Sequence, residues 1–354
     1  MRARVAVLAA PHRIDIREVA LPVVGSGDGL LEVEVNGLCG SDLEFFEGGL
    51  PGYPLPMALG HEPVGRVAAL GAEAAEAWGV EVGDRVVVNS AIRCGTCAQC
   101  QVGGNCRFRS YGAVSADDPP GLWGGLATHM YLAPGSTLMK LAANVPTEVA
   151  AFHNPLANGF EWVGQAGRVR AGEKVAVLGA GPRGLACCLV ARIMGAAEVI
   201  WVGLPRDEQR LALSGQLGID TTVTITSGEP AQLRAAIGYP VDVVVDTTPR
   251  SVSAVAQAIE ALAPGGRLVL AGIKGHDQRL ELAPDVISMR RLSLIGPLSK
   301  SETSLRAAVE AINAGSVDLA KVPTRAFPLE QVAEGIAQLG KPAVDGPIHL
   351  RVEP

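Results

Sequence analysis

Four of the seven cysteines of this chain fall within thirteen residues, as Cys94-Gly-Thr-Cys97-Ala-Gln-Cys100 and then Cys106. An odd total argues against a disulfide framework, and the clustering argues for metal. Four thiolates spaced C-x2-C-x2-C-x5-C can close a tetrahedral shell around zinc, which favours soft sulfur and uses such closed shells structurally. Left unliganded in a Gly-rich loop they would be chemically fragile. A second set is dispersed. Cys39 stands in Leu38-Cys39-Gly40-Ser41-Asp42 after an alternating strand, and Gly60-His61-Glu62 follows later. A thiolate, an imidazole and a carboxylate are three suitable zinc ligands that leave a fourth position for water or an alcohol. That is the arrangement of a metal acting as a Lewis acid. Each residue alone has a plainer reading, as a core thiol, a hydrogen-bonded loop imidazole or a surface charge. The weight lies in the combination.

A third motif, Gly179-Ala180-Gly181-Pro182-Arg183-Gly184, fits G-x-G-x-x-G. It follows an apolar strand directly and opens a helix, the context in which the match is informative. Gly179 permits the tight turn, Gly181 lets the backbone approach a pyrophosphate, and Gly184 lets helix and strand pack closely. Pro182 and Arg183 complete the expected cofactor-binding loop. The next strand should end in an acidic residue for the adenosine ribose, but Gly203 stands there, followed by Leu204-Pro205-Arg206-Asp207. Gly203 removes repulsion of a 2′-phosphate and Arg206 could neutralise one, which leans weakly towards NADP over NAD. Against that, Asp207 could reach the ribose from one turn later, or Arg206 could simply face solvent.

These motifs need elements to hold them. To about residue 150 the chain reads as short strands broken by Gly and Pro, such as LLEVEVNGL (30–38), PVGRVAAL (63–70) and DRVVVNSA (84–91). That pattern predicts a barrel-like domain with long loops. From residue 156 the texture changes. A helical pattern over 156–164 precedes alternating strands and helices: KVAVLGAG (174–181), a helix over 182–196, EVIWVGL (198–204), a helix from Asp207 to Gly218, VDVVVDTT (241–248), a helix over 252–266, RLVLAGI (267–273) and a sixth strand within RRLSLIGPL (290–298). Apolar strands alternating with helices imply a doubly wound parallel sheet, so the fold class is α/β. The expected division is 1–155 for the barrel-like domain with both metal sites, 156–298 for the dinucleotide domain, and 299–354 completing the second and returning to the first.

With 354 residues, 48% hydrophobic and 19% charged, and 43 Gly and 24 Pro, the chain suits a compact, turn-rich enzyme and neither disorder nor a coiled coil. A formal net charge of -6 and the lack of a basic run give no footprint for nucleic acid or a membrane surface. No apolar stretch reaches the roughly 18 residues of a membrane span. The N-terminus reads as alternating strand and not as a signal peptide, so the expected location is cytoplasmic.

The segments LCGSD (38–42), LGHEPVGRV (59–67), CGTCAQCQVGGNC (94–106), VAVLGAGPRGLA (175–186) and GGRLVLAGI (265–273), in this order, resemble the zinc-containing medium-chain alcohol dehydrogenase family, and most closely its polyol and sorbitol dehydrogenase-like branch. The resemblance runs through nearly the whole chain. It implies a GroES-like N-terminal domain carrying one catalytic and one structural zinc, a Rossmann domain for NAD(P), an active site in the cleft between them, and a homo-oligomer, dimer or tetramer. It implies further that Cys39 and His61 are catalytic zinc ligands, that Ser41 relays the substrate proton, and that Glu62 ligates the metal or stands just outside it. The expected reaction is reversible oxidation of an alcohol, with a lean to secondary, polyol or cyclic substrates.

Three departures qualify the transfer. Asn154 stands where the polyol branch usually has Glu; an amide oxygen is a poor zinc ligand, so the expected set is Cys39, His61, Glu62 and solvent, with Asn154 behind them and His153 an outside candidate. The last gap of the Cys loop is roughly two residues shorter than the family's, which makes Cys106 the least secure ligand. Glu44 stands where many members have a His ending the proton relay; a carboxylate can do that work at a different pH. The aromatic and Met residues Phe45, Phe46, Tyr53, Trp123 and Met130 either line a pocket or pack the core. Three other readings stay open on residues alone: a zinc-free enone or quinone reductase of the same fold, a non-catalytic zinc- and nucleotide-binding redox sensor, and a degenerate paralogue whose metal site Asn154 has silenced.

Overall fold

The computed structural model describes residues 1–50, 52–101, 106, 109–226, 228–275, 277–297, 299–339, 341 and 346–354. In the strand Val241–Asp246 every residue but Asp242 is buried, so this strand has no face for water. Such a strand belongs at the centre of a sheet covered on both sides. It is the fourth of six parallel strands, in the order Thr221–Thr224, Glu198–Gly203, Lys174–Leu178, Val241–Asp246, Leu262–Leu270, Ser293–Ile295. The order reverses between Lys174–Leu178 and Val241–Asp246. This is the Rossmann arrangement, and its ligand crevice lies at the carboxyl ends of those two strands.

The helix Pro182–Ile193 starts at the crevice with Pro at its first turn, where a missing N–H costs nothing. Its stretch Gly184–Ala191 is buried throughout, because the helix lies between the sheet and the helix His153–Gly159. Several elements differ from expectation. The helix foreseen from Asp207 is broken into Pro205–Asp207, Glu208–Leu211 and Ser214–Leu217, as the weak helix formers Ser214 and Gly215 would suggest. The one foreseen to residue 266 stops at Ala261, because Pro264 and Gly265 suit a turn and the strand Leu262–Leu270 begins there. The helical pattern over 156–164 becomes His153–Gly159 running straight into a π-helical turn, Phe160–Ala166. The sixth strand is short, and Leu298 lies outside the described residues.

The Val-rich N-terminal strands form two sheets. One has the order Thr324–Pro328, His349–Glu353, Gly29–Leu38, Pro63–Leu70, Arg85–Val88, Leu138–Lys140, with His129–Leu132 also paired to Gly29–Leu38. The other has the order Arg13–Ala20, Arg2–Ala10, Met57–Ala58, Val114–Ser115. Their inner faces share a core of Val5, Val7, Leu31, Val67, Val86 and Met130. This is the barrel-like, GroES-like half. The C-terminal segment divides: helix Glu302–Asn313 packs on His153–Gly159, whereas strand His349–Glu353 pairs antiparallel with Gly29–Leu38. No helix among the described residues is long and apolar enough to cross a membrane.

Candidate metal centre and dinucleotide cleft

Cys39 ends the strand Gly29–Leu38 and precedes the short helix Gly40–Phe46. The turn is tied by Asp42, whose Oδ2 accepts the Cys39 N–H at 2.9 Å, in the manner of a capping box. His61 enters from the opposite side, behind Gly60. At φ +99° Gly60 occupies backbone that disfavours a side chain, and a Cβ there would fall 2.2 Å from the Leu126 nitrogen. Cys39 Sγ, a His61 ring nitrogen and a Glu62 carboxylate oxygen thereby lie within 4.8 Å of one another. Ser41 Oγ donates to Cys39 Sγ at 3.1 Å and lies 3.3 Å from His61 Nε2. Asn154 reaches the cluster from the start of the second half and donates its amide to Glu62 Oε1. Phe152, just before it, packs edge-on against His349.

The electrostatics suit a cation. Burial alone would push the Cys39 thiol up, but the Arg183 charge, with His61 beside it, brings its pKa below the ordinary value. Burial likewise disfavours Glu62 as an anion, yet His349, His61 and Arg183 together hold its carboxyl well below the usual range. For His61 burial acts against protonation, and the charge of Asp42, whose Oδ1 lies 3.3 Å from His61 Nδ1, overrides it and raises the pKa well above normal. Buried Glu62 Oε2 still has no hydrogen-bond partner among the described residues. A buried carboxylate with one orphaned oxygen, clustered with a thiol and an imidazole, fits a borderline-soft divalent metal such as zinc in chemistry as well as in distance.

The cysteine loop gathers as well. The four sulfurs of Cys94, Cys97, Cys100 and Cys106 lie within 4.8 Å of one another, with Cys94 to Cys100 at 3.9 Å and Cys97 to Cys106 at 4.0 Å. The shorter final gap therefore leaves Cys106 in reach. Hydrogen bonds from Thr96 and the Cys97 backbone hold the Cys94 thiol down at about 5, the ionised form a metal needs. Arg93 links this loop to the second half, donating to the Cys100 carbonyl at 2.6 Å and to Glu302 Oε2 at 3.0 Å.

In the cleft, Gly184 cannot carry a side chain, since its Cβ would fall 1.9 Å from the Gly179 carbonyl oxygen. A Cβ on Gly181 would meet nothing within 4 Å, which leaves that backbone open to a ligand. Trp201 Nε1 donates to the Gly179 oxygen at 3.1 Å and pins the turn. Gly203 ends its strand against Asp207, whose Oδ2 is occupied with the Leu204 N–H at 3.0 Å. Arg206 is exposed.

Other expected residues are placed differently. Arg183, expected with the dinucleotide loop, extends to Cys39 Sγ, to which Nη2 donates at 2.8 Å. Glu44 accepts from Arg250 across the cleft at 2.7 Å, and no hydrogen bond joins it to Ser41 among the described residues. His153 Nδ1 donates to the Ala150 carbonyl at 3.0 Å, and burial brings its pKa down to about 4. Trp123 and Met130 are core; Phe45 packs edge-on against the half-exposed Tyr53, and Phe46 against His12. Four residues were not foreseen. Asp42 orients His61; His349 lies 4.0 Å from Glu62. Lys300 meets Ser90 Oγ at 3.3 Å, and Arg210 meets the Ala180 carbonyl at 3.4 Å. The sequence signals among them were a His interrupting the apolar run PIHLRV and Asp42 within LCGSD.

Comparison with known proteins agrees with this geometry. Residues 25–143 match the Alcohol dehydrogenase GroES-like domain family and residues 182–314 the Zinc-binding dehydrogenase family. A Mycobacterium tuberculosis protein named "Probable alcohol dehydrogenase adh" is 39% identical, over 98% of this chain and 97% of its own length. The erythritol/L-threitol dehydrogenase of Mycolicibacterium smegmatis is 30% identical over 93% of this chain and 92% of its own. A zinc-binding dehydrogenase of Sinorhizobium meliloti 1021, whose crystal structure is bound to NADP, superposes with a TM-score of 0.86 at 27% identity, covering 100% of both chains. With relatives this similar over nearly their full length, the barrel-like and Rossmann halves and the clustered donors place the chain in the zinc-dependent medium-chain alcohol dehydrogenase family of nicotinamide-using oxidoreductases.

Proposed function

We propose that the chain reversibly oxidises a secondary, polyol or cyclic alcohol to the ketone or aldehyde, passing hydride to NAD(P)+, with one zinc held by Cys39, His61 and Glu62 and a second by Cys94, Cys97, Cys100 and Cys106. The observation that carries this reading is the convergence of the Cys39, His61 and Glu62 donor atoms within 4.8 Å, with Glu62 Oε1 3.8 Å from His61 Nε2. The chemistry zinc supplies when bound at such a set is Lewis acidity, which brings an alcohol's pKa towards neutrality. Ser41 Oγ, beside both Cys39 and His61, is placed to receive the substrate proton and pass it outward. Asp42 holds His61 in one orientation, and Asn154 holds Glu62. The turn Gly179–Gly184 offers its backbone to the pyrophosphate, and Glu44, paired with Arg250, bridges the two sides of the cleft at the outer end of the relay. The division into 1–155, 156–298 and 299–354 follows the same reading, with Asn154 at the seam. The erythritol/L-threitol dehydrogenase relative supports a polyol among the substrates. A panel of secondary alcohols and polyols with both cofactors tests the proposal: zinc-loaded protein should turn over at least one, and no turnover of any would refute it.

Two further outcomes follow. Cys97→Ser should lower the zinc content by one per chain and chiefly destabilise the fold, since a closed thiolate shell contributes folding energy. Thermal melts with metal analysis check this; unchanged zinc would remove the second site. For the cofactor, Arg206 is exposed beside Gly203, where nothing acidic repels a 2′-phosphate. Arg206→Ala should therefore weaken NADP more than NAD, by about 1.5–3 kcal/mol for a charge-assisted contact. Equal KM changes for the two would show Arg206 to be a solvent-facing residue.

A further inference from the structure

The guanidinium of Arg183 reaches a place its position in the chain does not call for. Arg183 lies at the start of the helix Pro182–Ile193, inside the dinucleotide motif, yet it donates to a sulfur 144 residues away in sequence. Here it answers the charges of Cys39, Glu62 and Asp42. Metal binding changes that balance. A divalent cation held by Cys39 and Glu62 neutralises those two charges and brings a like charge close to the guanidinium. In a buried setting that repulsion is severe unless a new anion arrives.

Two neighbours point the same way. Lys300 is 4% exposed and lies close enough to Arg183, Cys39 and Glu62 to feel all three charges. Trp162, 3% exposed and on the π-helical turn, has an indole N–H with no hydrogen-bond partner among the described residues. Its ring centroid is 5.7 Å from Arg183 Cζ. A buried N–H without a partner is costly, and a π-helical turn often marks a functional position. A planar fork of donors, a second cation and a spare N–H together match a carboxylate, which takes several directed hydrogen bonds at once.

We infer that Arg183, with Trp162 and Lys300 beside it, forms a carboxylate-binding subsite at the metal centre, and that the alcohol this chain oxidises is a short hydroxy acid. This rests on the dehydrogenase reading above. The carbinol loses its hydride to NAD(P)+ and its hydroxyl proton to Ser41, giving the oxo acid, and the carboxylate is unchanged. Arg183 acts on substrate choice.

The test compares 3-hydroxybutanoate with butan-2-ol, which differ by a carboxylate in place of a methyl group, on the zinc-loaded full chain with each cofactor. The acid is expected to have the higher kcat/KM by about 10- to 100-fold, the worth of a charge-assisted contact. Arg183→Leu should erase the ratio and Arg183→Lys restore part of it. Independently of turnover, butanoate should saturably change the protein's fluorescence, the change should vanish in Arg183→Leu, and Trp162→Phe should identify the ring that reports. Equal efficiency for the two alcohols without butanoate binding would overturn the subsite and leave the dehydrogenase reading standing. Weaker dinucleotide binding in Arg183→Leu at an unchanged ratio would also overturn it, by assigning the guanidinium to the cofactor's phosphates. Turnover of neither alcohol, nor of any in the wider panel, would sink the dehydrogenase reading, and the butanoate titration would then decide the subsite alone.

Discussion

His61→Ala is expected to abolish alcohol oxidation while dinucleotide binding stays close to that of the wild type. The imidazole is one of three clustered donors among the described residues, so its loss leaves Cys39 and Glu62 too few to hold a metal in an oxygen-binding geometry. Each pKa unit of activation lost from the alcohol removes about tenfold of its ionised fraction, and a metal supplies several such units. Turnover should therefore fall by several powers of ten. The turn Gly179–Gly184 is built on the other sheet and pinned by Trp201, so the pyrophosphate site does not depend on His61. Because the substitution also leaves buried Asp42 without its imidazole, His61→Asn, which keeps a donor, serves as a check on folding. Cofactor titration and steady-state rates on both variants decide the matter. Wild-type turnover in a correctly folded His61→Ala chain would contradict the role given to the metal.

Ser41→Ala should act on a different step. Its hydroxyl touches both Cys39 Sγ and His61 Nε2 but is not a member of the ligand cluster, so zinc content and cofactor affinity should hold. Proton transfer should slow, with a loss in kcat of about 10²–10⁴-fold, the range for general acid–base steps. Removing one hydroxyl at a half-buried position leaves no buried charge unpaired, which keeps the effect on stability small. A Ser41→Ala enzyme with unchanged kcat would make the hydroxyl a turn-capping group. Loss of zinc in this variant would instead make it a support for Cys39.

Much of this was legible from the chain because chemistry and local pattern coincide. Cys94 to Cys106 sit in one loop, and Gly179 to Gly184 in one turn, so spacing in sequence reports spacing in space. Cys39 and His61 were legible as types, and the strand and loop pattern brings them together. The roles of Arg183 and Lys300 were not legible. They come from distant segments that meet the metal centre only when the two halves of the fold come together, and nothing in local periodicity encodes that approach. Asp42 was in view within LCGSD, but its hold on His61 depends on the angle between two loops. The elements misjudged at Asp207–Gly218 and at Leu262–Gly266 share one cause. Apolar residues continue through Ser-Gly or Pro-Gly pairs there, and the backbone preference of the pair overrides the pattern.

The central claim, that a metal at Cys39, His61 and Glu62 drives the chemistry, is tested most directly by counting zinc per chain in the wild type and in Cys39→Ser, alongside turnover of the same preparations. Two zinc ions and measurable turnover are expected in the wild type, and one zinc and none of the turnover in a Cys39→Ser chain that still melts cooperatively and binds dinucleotide. An equal zinc count in the two proteins, or activity in the variant, would contradict it.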